Sequence, residues 1–303
     1  MATLTPQFFQ LLEAEEKDVF FQAFTQQPTK YTQLFSTQSS TKAYEDRLPI
    51  SGLGTFATKP EGTPIAFDDP VQGLQIRTVH QTYALGWRAS MEMMQDDQFA
   101  VMNRMSSELG ESARDHQERL AWNLINDGFT GTITGFEGDT LFDAAHGLRR
   151  GNVGQTVSNI LNPPVALSQT GIEDILTMSE TTTSDENRYV ELSPTMLVCH
   201  PSEMHNAYVL LNTEKRPGSA DNDVSSVVSS RSGLTVLTSP HLSSTTNWYV
   251  FSPPGKNTLT YNNRMSVEFS RAQDADTKDQ KFYGCYRASV MWSEWRGSWG
   301  SQA

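Results

Sequence analysis

Residues 82–126, TYALGWRASMEMMQDDQFAVMNRMSSELGESARDHQERLAWNLIN, decide the fold. The stretch up to Trp87 is strand-like, and from Met91 the periodicity changes. At about 100° per residue, Met91, Met102, Met105, Leu109, Ala113, Leu120 and Leu124 fall within a stripe roughly 100° wide. Ser90 is placed to cap a helix start, and Glu92, Asp96 and Asp97 sit where the helix dipole favours acids. The spacing predicts one helix over Met91–Asn126, a rod of about 54 Å at ~1.5 Å per residue. A single apolar stripe predicts a spine lying on a surface, not a helix buried all round.

Working back from this helix, residues 46–88 read as a long hairpin. GLGTFATKPEGTPIAFDD is full of turn residues, VQGLQIRTVHQTYALGW is rich in β-formers, and Lys59-Pro60-Glu61-Gly62 suits a tip. A lone hairpin is marginal in water, so it should lie on something else. The first 45 residues carry an amphipathic helix (Phe8, Leu11, Leu12, Val19, Phe20, Phe24) and a Thr/Gln/Ser-rich stretch, together an arm that needs a partner surface.

Beyond the helix, EGDTLFDAAHGLRR (137–150) places Asp139, Asp143 and His146 at helical spacing, which would put all three on one face. Two readings stand: a metal or acid/base site, or a structural loop, the second favoured by flanking Gly135, Gly138 and Gly147. An α/β segment begins near Leu167. QTGIEDILTMSET is helical, PTMLVCH is a buried-strand run, PSEMHNAYVLL restarts a helix, and GLTVLTSPHL and NWYVFSPPG are further strands. The tail alternates strands around the polar turn AQDADTKDQ.

Thirty-five acids against 23 bases give a net charge of −12 over 303 residues, which opposes broad binding to phosphate backbones or anionic membranes. A hydrophobic fraction of 37% is low and suggests extended arms and loops. Neither a signal peptide nor a spanning helix is expected, since no run approaches about 18 apolar residues. Cys199 and Cys285 form no C-x-x-C pair, which fits a reducing compartment.

Nucleophile-elbow, P-loop, zincin and EF-hand motifs are absent. Cys199, His200, Glu203 and His205 could bind zinc, but the favoured reading is a strand running into a helix, with Ser202 and Glu203 near the helix N-terminus. His116, in the apolar stripe, reads as a hydrogen-bonded core or interface histidine. Residues 274–279, DADTKD, lack the glycine and glutamate of a calcium loop and read as a solvated turn. Trp292, Trp295 and Trp299 read as packing anchors, not a base-stacking platform.

The order of these segments resembles the major capsid proteins of tailed bacteriophages with the Hong Kong 97-type fold. Individual phrases resemble the Mu-like major head subunit family: YEDRLPISGLGTFATKPEGTPIAFDDPVQG, TYALGWRASMEMMQDDQF, GDTLFDAAHG, PTMLVCHPSEMHNAYVLL, LTSPHLSSTTNWYVF and VEFSRAQDADTKDQKFYGCYRASVMW. One departure is Leu148-Arg149-Arg150, where the family often has Asn after His-Gly. The resemblance implies an α+β fold with an N-terminal arm (1–48), an extended hairpin (49–88), a peripheral domain with the spine helix (89–166), an axial domain (167–255) and return strands (256–303).

It further implies a non-enzymatic shell subunit forming hexamers and pentamers around double-stranded DNA in a virion capsid, assembled in the bacterial cytoplasm. A scaffold or protease, a portal and decoration proteins are the implied partners, with no membrane, metal or cofactor. The implied assembly contacts are Phe8, Leu11, Phe20, Lys59, Glu61, Phe67, Trp87, Leu141, Phe142, His146, Arg216, Trp295 and Trp299. Two alternatives carry the same sequence: a host-encoded nanocompartment shell, and a metal-dependent hydrolase using Asp139, Asp143 and His146.

Overall fold

The tail supplies the longest strands of the protein. In the computed structural model, which describes residues 6–70, 72–95, 101–147, 156–186, 188–215, 224–230 and 233–303, the chain runs in this order. Helices α1 (Pro6–Gln26) and α2 (Tyr31–Leu34) come first, followed by β1 (Ser36–Ser39), β2 (Tyr44–Arg47), β3 (Ile76–Val79) and β4 (Gln81–Ala89). Next are α3 (Met91–Gln95), α4 (Val101–Asn126), β5 (His146–Gly147), β6 (Thr156–Val157), α5 (Gln169–Thr181), β7 (Met196–Cys199) and α6 (Met204–Asn212). The chain ends with α7 (Ser226–Ser230), β8 (Thr235–Thr238), β9 (Trp248–Phe251), β10 (Thr260–Gln273), β11 (Gln280–Met291) and β12 (Ser298–Ser301).

β10 and β11 form a long antiparallel hairpin around the expected polar turn, where Lys278 has φ 58° and Asp274 pairs with Lys281 at 2.6 Å. β4 joins β11 on one side and β1 joins β10 in parallel on the other, giving the order β1-β10-β11-β4. The hairpin expected over 46–88 is therefore shorter at its base. The ladder between the two arms is formed by Tyr44–Arg47 and Ile76–Val79, while β4 is captured by the main sheet, where Trp87 stacks on Phe282 at 4.5 Å. The turn at the tip lies where the sequence put it, with Thr63 N–H donating to Pro60 C=O and Gly62 at φ 81°.

The spine is helical on both sides of residues 96–100, which lie outside the described residues, and Ser90 Oγ accepts from Met93 N–H at 3.2 Å. Its burial exceeds one stripe. Gln117, Glu118, Ala121, Trp122, Leu124 and Ile125 are all buried, so the C-terminal third is enclosed on several sides. The cause is α1. This helix packs along α4 and over the main sheet, with Phe20 buried against Phe269 at 5.1 Å. A Cβ on Gly110 would meet the Phe20 carbonyl oxygen at 2.4 Å, so the absence of a side chain there lets the two helices approach. From residue 15 on, the supposed arm thus finds its surface within its own chain. The Glu118 carboxylate pins the turn between the helices, accepting from Lys30 N–H at 2.5 Å and from the Trp122 indole at 2.8 Å.

A second sheet has the order β12-β9-β7-β8. β7 and β9 are buried on both faces, and their side chains alternate as a strand period of two requires. Met196, Val198, Tyr249 and Phe251 join the core containing Trp122, Phe142 and Trp292. Leu197, Cys199, Trp248 and Val250 face a second core with Ile172 and Ile175 of α5, Leu210 of α6 and Val227 of α7. One sheet is thus the wall between two cores. No described helix is long and apolar enough to cross a membrane.

Candidate assembly surface and the His146 loop

After α4 ends at Asn126 the chain turns through a short 3-10 segment, Asp127–Phe129, into the loop that carries His146. Leu141 and Phe142 are buried, Phe142 packing on Phe129 at 4.9 Å and on Tyr249 at 5.2 Å. These two apolar side chains fix the loop to the second sheet. Gly135 lies against Trp292, whose ring atoms would stand 2.3 Å from a Cβ at that position.

The polar centre of the loop is Asn159, fully buried and absent from the sequence reading. Its Nδ2 donates to the carbonyls of Leu141 at 2.7 Å and Ser298 at 3.0 Å. Its Oδ1 accepts from Asp143 N–H at 2.9 Å and meets His146 Nε2 at 3.1 Å. The His146 ring is wholly buried and stacked on Trp295, with centroids 4.4 Å apart and planes 9° from parallel. Trp295 Nε1 donates to Glu137 Oε1 at 3.3 Å, and Glu137 Oε2 lies 3.4 Å from His146 Nδ1.

The trio expected from spacing, Asp139, Asp143 and His146, is not the one the fold gathers. Asp143 Oδ1 instead accepts from Ala145 N–H at 2.9 Å, and Glu137 takes the place beside the histidine. The helix on which that spacing depended does not form, since the loop is bent by turns and anchored by its apolar pair. The zinc alternative at Cys199 also dissolves into local structure. His200 Nδ1 caps the turn by accepting from Ser202 N–H, and burial, with Glu203 adding, pushes the Cys199 thiol up to about 11. His116 hydrogen-bonds the Tyr286 hydroxyl at 2.5 Å, and burial, with Arg119 assisting and Asp115 opposing, holds its pKa below the usual histidine value.

The other expected contact residues divide by exposure. Phe20, Leu141, Phe142, His146, Trp295 and Trp299 are buried inside the single chain, where their packing orders the subunit itself, and Trp87 is half-buried. Lys59, Glu61 and Phe67 are exposed on the hairpin. Arg216 lies outside the described residues, as do the side chains of Phe8 and Leu11. The hairpin also exposes Leu48, Ile50, Leu53, Phe56, Ile65 and Leu74, with Phe56 and Phe67 almost wholly open to water. Between residues 48 and 75 its ties among the described residues include a bridge at Ile50 and Gln72, the Gly73 N–H to Pro49 C=O bond, Gly54 N–H to Asp68 and the Thr63–Pro60 turn.

A family model described as phage capsid protein matches residues 74–299. The chain belongs to the phage capsid protein family. Solved structures agree in fold. The chain is similar to the procapsid of bacteriophage JBD30, at 16% identity and TM-score 0.54, covering 99% of this chain and 76% of that one. It is similar to the capsid of a native GTA particle at 13% identity and TM-score 0.59, covering 90% of each chain. A virus-like particle from Pyrococcus furiosus is similar at 8% identity and TM-score 0.55, covering 95% of this chain and 98% of that one. A search of curated proteins gives no significant match. This capsid protein therefore has the tailed-phage, Hong Kong 97-type α+β fold, and its place is the virion shell.

Proposed function

We propose that this capsid protein is the major head subunit, closing as hexamers and pentamers into an icosahedral shell around double-stranded DNA. One observation carries the reading. Phe56, Ile65 and Phe67 stand exposed on a hairpin with almost no packing of its own, and large exposed apolar groups mark an interaction surface. On this reading the hairpin lies across a neighbouring subunit, with Lys59 and Glu61 at its tip. The net charge of −12 suits a wall that encloses DNA without gripping it.

The proposed organisation has an arm, the hairpin, a peripheral unit built on α4 and the β10–β11 hairpin, and an axial unit over 167–255. The axial unit borrows β12 from the tail, which hydrogen-bonds to β9. Assembly in the bacterial cytoplasm with a scaffold or protease, a portal and decoration proteins completes the proposal. A double substitution, Phe56→Ser with Phe67→Ser, tests it. The variant subunit should fold with an unchanged unfolding midpoint yet fail to form large particles on size exclusion, whereas particles of normal yield would contradict the role of the hairpin.

The likeness to the Pyrococcus furiosus particle supports a second reading, a host-encoded compartment of the same fold. Shells holding protein cargo and no DNA would favour it.

A further inference from the structure

The geometry points to a divalent transition-metal site formed by Glu137, Asp139 and His146, one that locks the loop after the spine helix. Each of the three offers a donor atom, and these atoms lie within 4.8 Å of one another. Acidic groups near a histidine would not suffice alone, but the protonation pattern of this histidine is constrained by its surroundings.

Asn159 must point its amide NH2 at the carbonyls of Leu141 and Ser298, which can only accept. Its Oδ1 therefore faces His146 Nε2, and this nitrogen must be the donor. In the neutral ring that leaves a lone pair on Nδ1, aimed at Glu137 Oε2. Both atoms are buried, and neither has a hydrogen-bond partner. The His146 side chain is 0% exposed and that of Glu137 8%, so water cannot relieve two electron-rich atoms facing each other.

Their separation of 3.4 Å exceeds the span of a charge-assisted N–H···O bond, about 2.7–2.9 Å. It is instead the spacing of two ligands on one tetrahedral ion, since bonds of about 2.0–2.2 Å put neighbouring donors about 3.4 Å apart. A ligating histidine that donates its other N–H to an oxygen is also the usual outer-shell arrangement, here supplied by Asn159. The second carboxyl oxygen of Glu137 is held by the Trp295 indole, which leaves Oε2 for the ion. One imidazole nitrogen with two carboxylates suits zinc or manganese better than calcium or magnesium, which favour all-oxygen shells. Two carboxylates also balance a divalent charge, and both oxygens of Asp139 can complete the coordination.

The test uses the full chain, stripped with chelator and then titrated with Zn2+ or Co2+. Metal per chain is measured by elemental analysis after gel filtration, and the unfolding midpoint by scanning fluorimetry. The wild type should retain one ion per chain, show a midpoint that rises with Zn2+, and give the visible absorption of four-coordinate Co2+. Asp139→Asn, a change at a partly exposed position, should keep the circular dichroism of the fold while losing at least tenfold in affinity together with the Co2+ band. Glu137→Gln should do the same. A wild type that retains no ion, or an Asp139→Asn protein that binds as tightly as wild type, overturns the site.

Discussion

The carbonyl oxygen of Phe20 and the α-carbon of Gly110 are in such close approach that a methyl group on the glycine would stand 2.4 Å from the oxygen. Both atoms belong to helix backbones, so neither can step aside as a side chain would. Gly110→Ala should therefore destabilise the subunit by about 1–3 kcal/mol through overpacking, even though alanine is favoured over glycine by about 1 kcal/mol in an open helix. Denaturant midpoints measure it, and a gain in stability would mean that α1 is not seated on α4 as described.

Asn159 joins four partners at the root of the His146 loop. Asn159→Ala leaves buried carbonyls and an N–H without partners, at about 1–3 kcal/mol for each group that water cannot reach. The unfolding midpoint should fall accordingly. Unchanged stability would show that the loop is held by Leu141 and Phe142 alone.

Arg296 ties the tail to the loop after α5. It donates to the Thr183 carbonyl at 2.8 Å and to Asp185 at 2.8 Å, and it also pairs with Glu294. Arg296→Met should cost about 1.5–3 kcal/mol, because it removes the charge-assisted hydrogen bonds of a buried guanidinium. Arg296→Lys should recover only part of that loss, since an ammonium cannot reach three diverging oxygens with the planar fork of a guanidinium. Full recovery by lysine would reduce the interaction to charge alone.

His80 is buried between Ser289 and Ser40, with ring nitrogens 2.9 and 3.2 Å from their hydroxyls. Burial holds its pKa below the usual 6.5, with Glu45 opposing and Arg287 and Arg264 reinforcing. The unfolded chain then binds a proton at a pH where the folded one does not. Stability should accordingly be constant for this group above about 6.5 and decline as pH falls from there toward the folded value. Chemical denaturation at a series of pH values should give a shallower decline for His80→Gln, and identical slopes would remove His80 as a contributor.

Long periodic signals carried over well from sequence to structure, and contacts between distant segments did not. The spine helix, its Ser90 cap, the Pro60–Thr63 turn and the β10–β11 hairpin were all legible, because each is decided by local periodicity or turn chemistry. The packing of α1 along α4 was not, since nothing in the stripe says that Gly110 faces another helix. Capture of β4 by the main sheet was hidden for a similar reason: a strand does not announce its neighbour. In the His146 loop, the spacing of Asp139, Asp143 and His146 suggested a shared helical face, yet the fold brought in Glu137 and Asn159 from outside that spacing. Buried Trp295 and Trp299 were recognisable as anchors by type, but their burial within one subunit was fixed only by the tail returning to β9 and the loop.

Shell formation is the property that the proposed function requires first of this subunit. Electron microscopy of the expressed full-length protein, imaged across assembly conditions and averaged with icosahedral symmetry, tests that most directly. Closed shells with sixfold and fivefold capsomers, the 48–75 hairpin crossing from one subunit to the next, are the predicted result. A protein that stays monomeric or forms only small oligomers under every condition would contradict it.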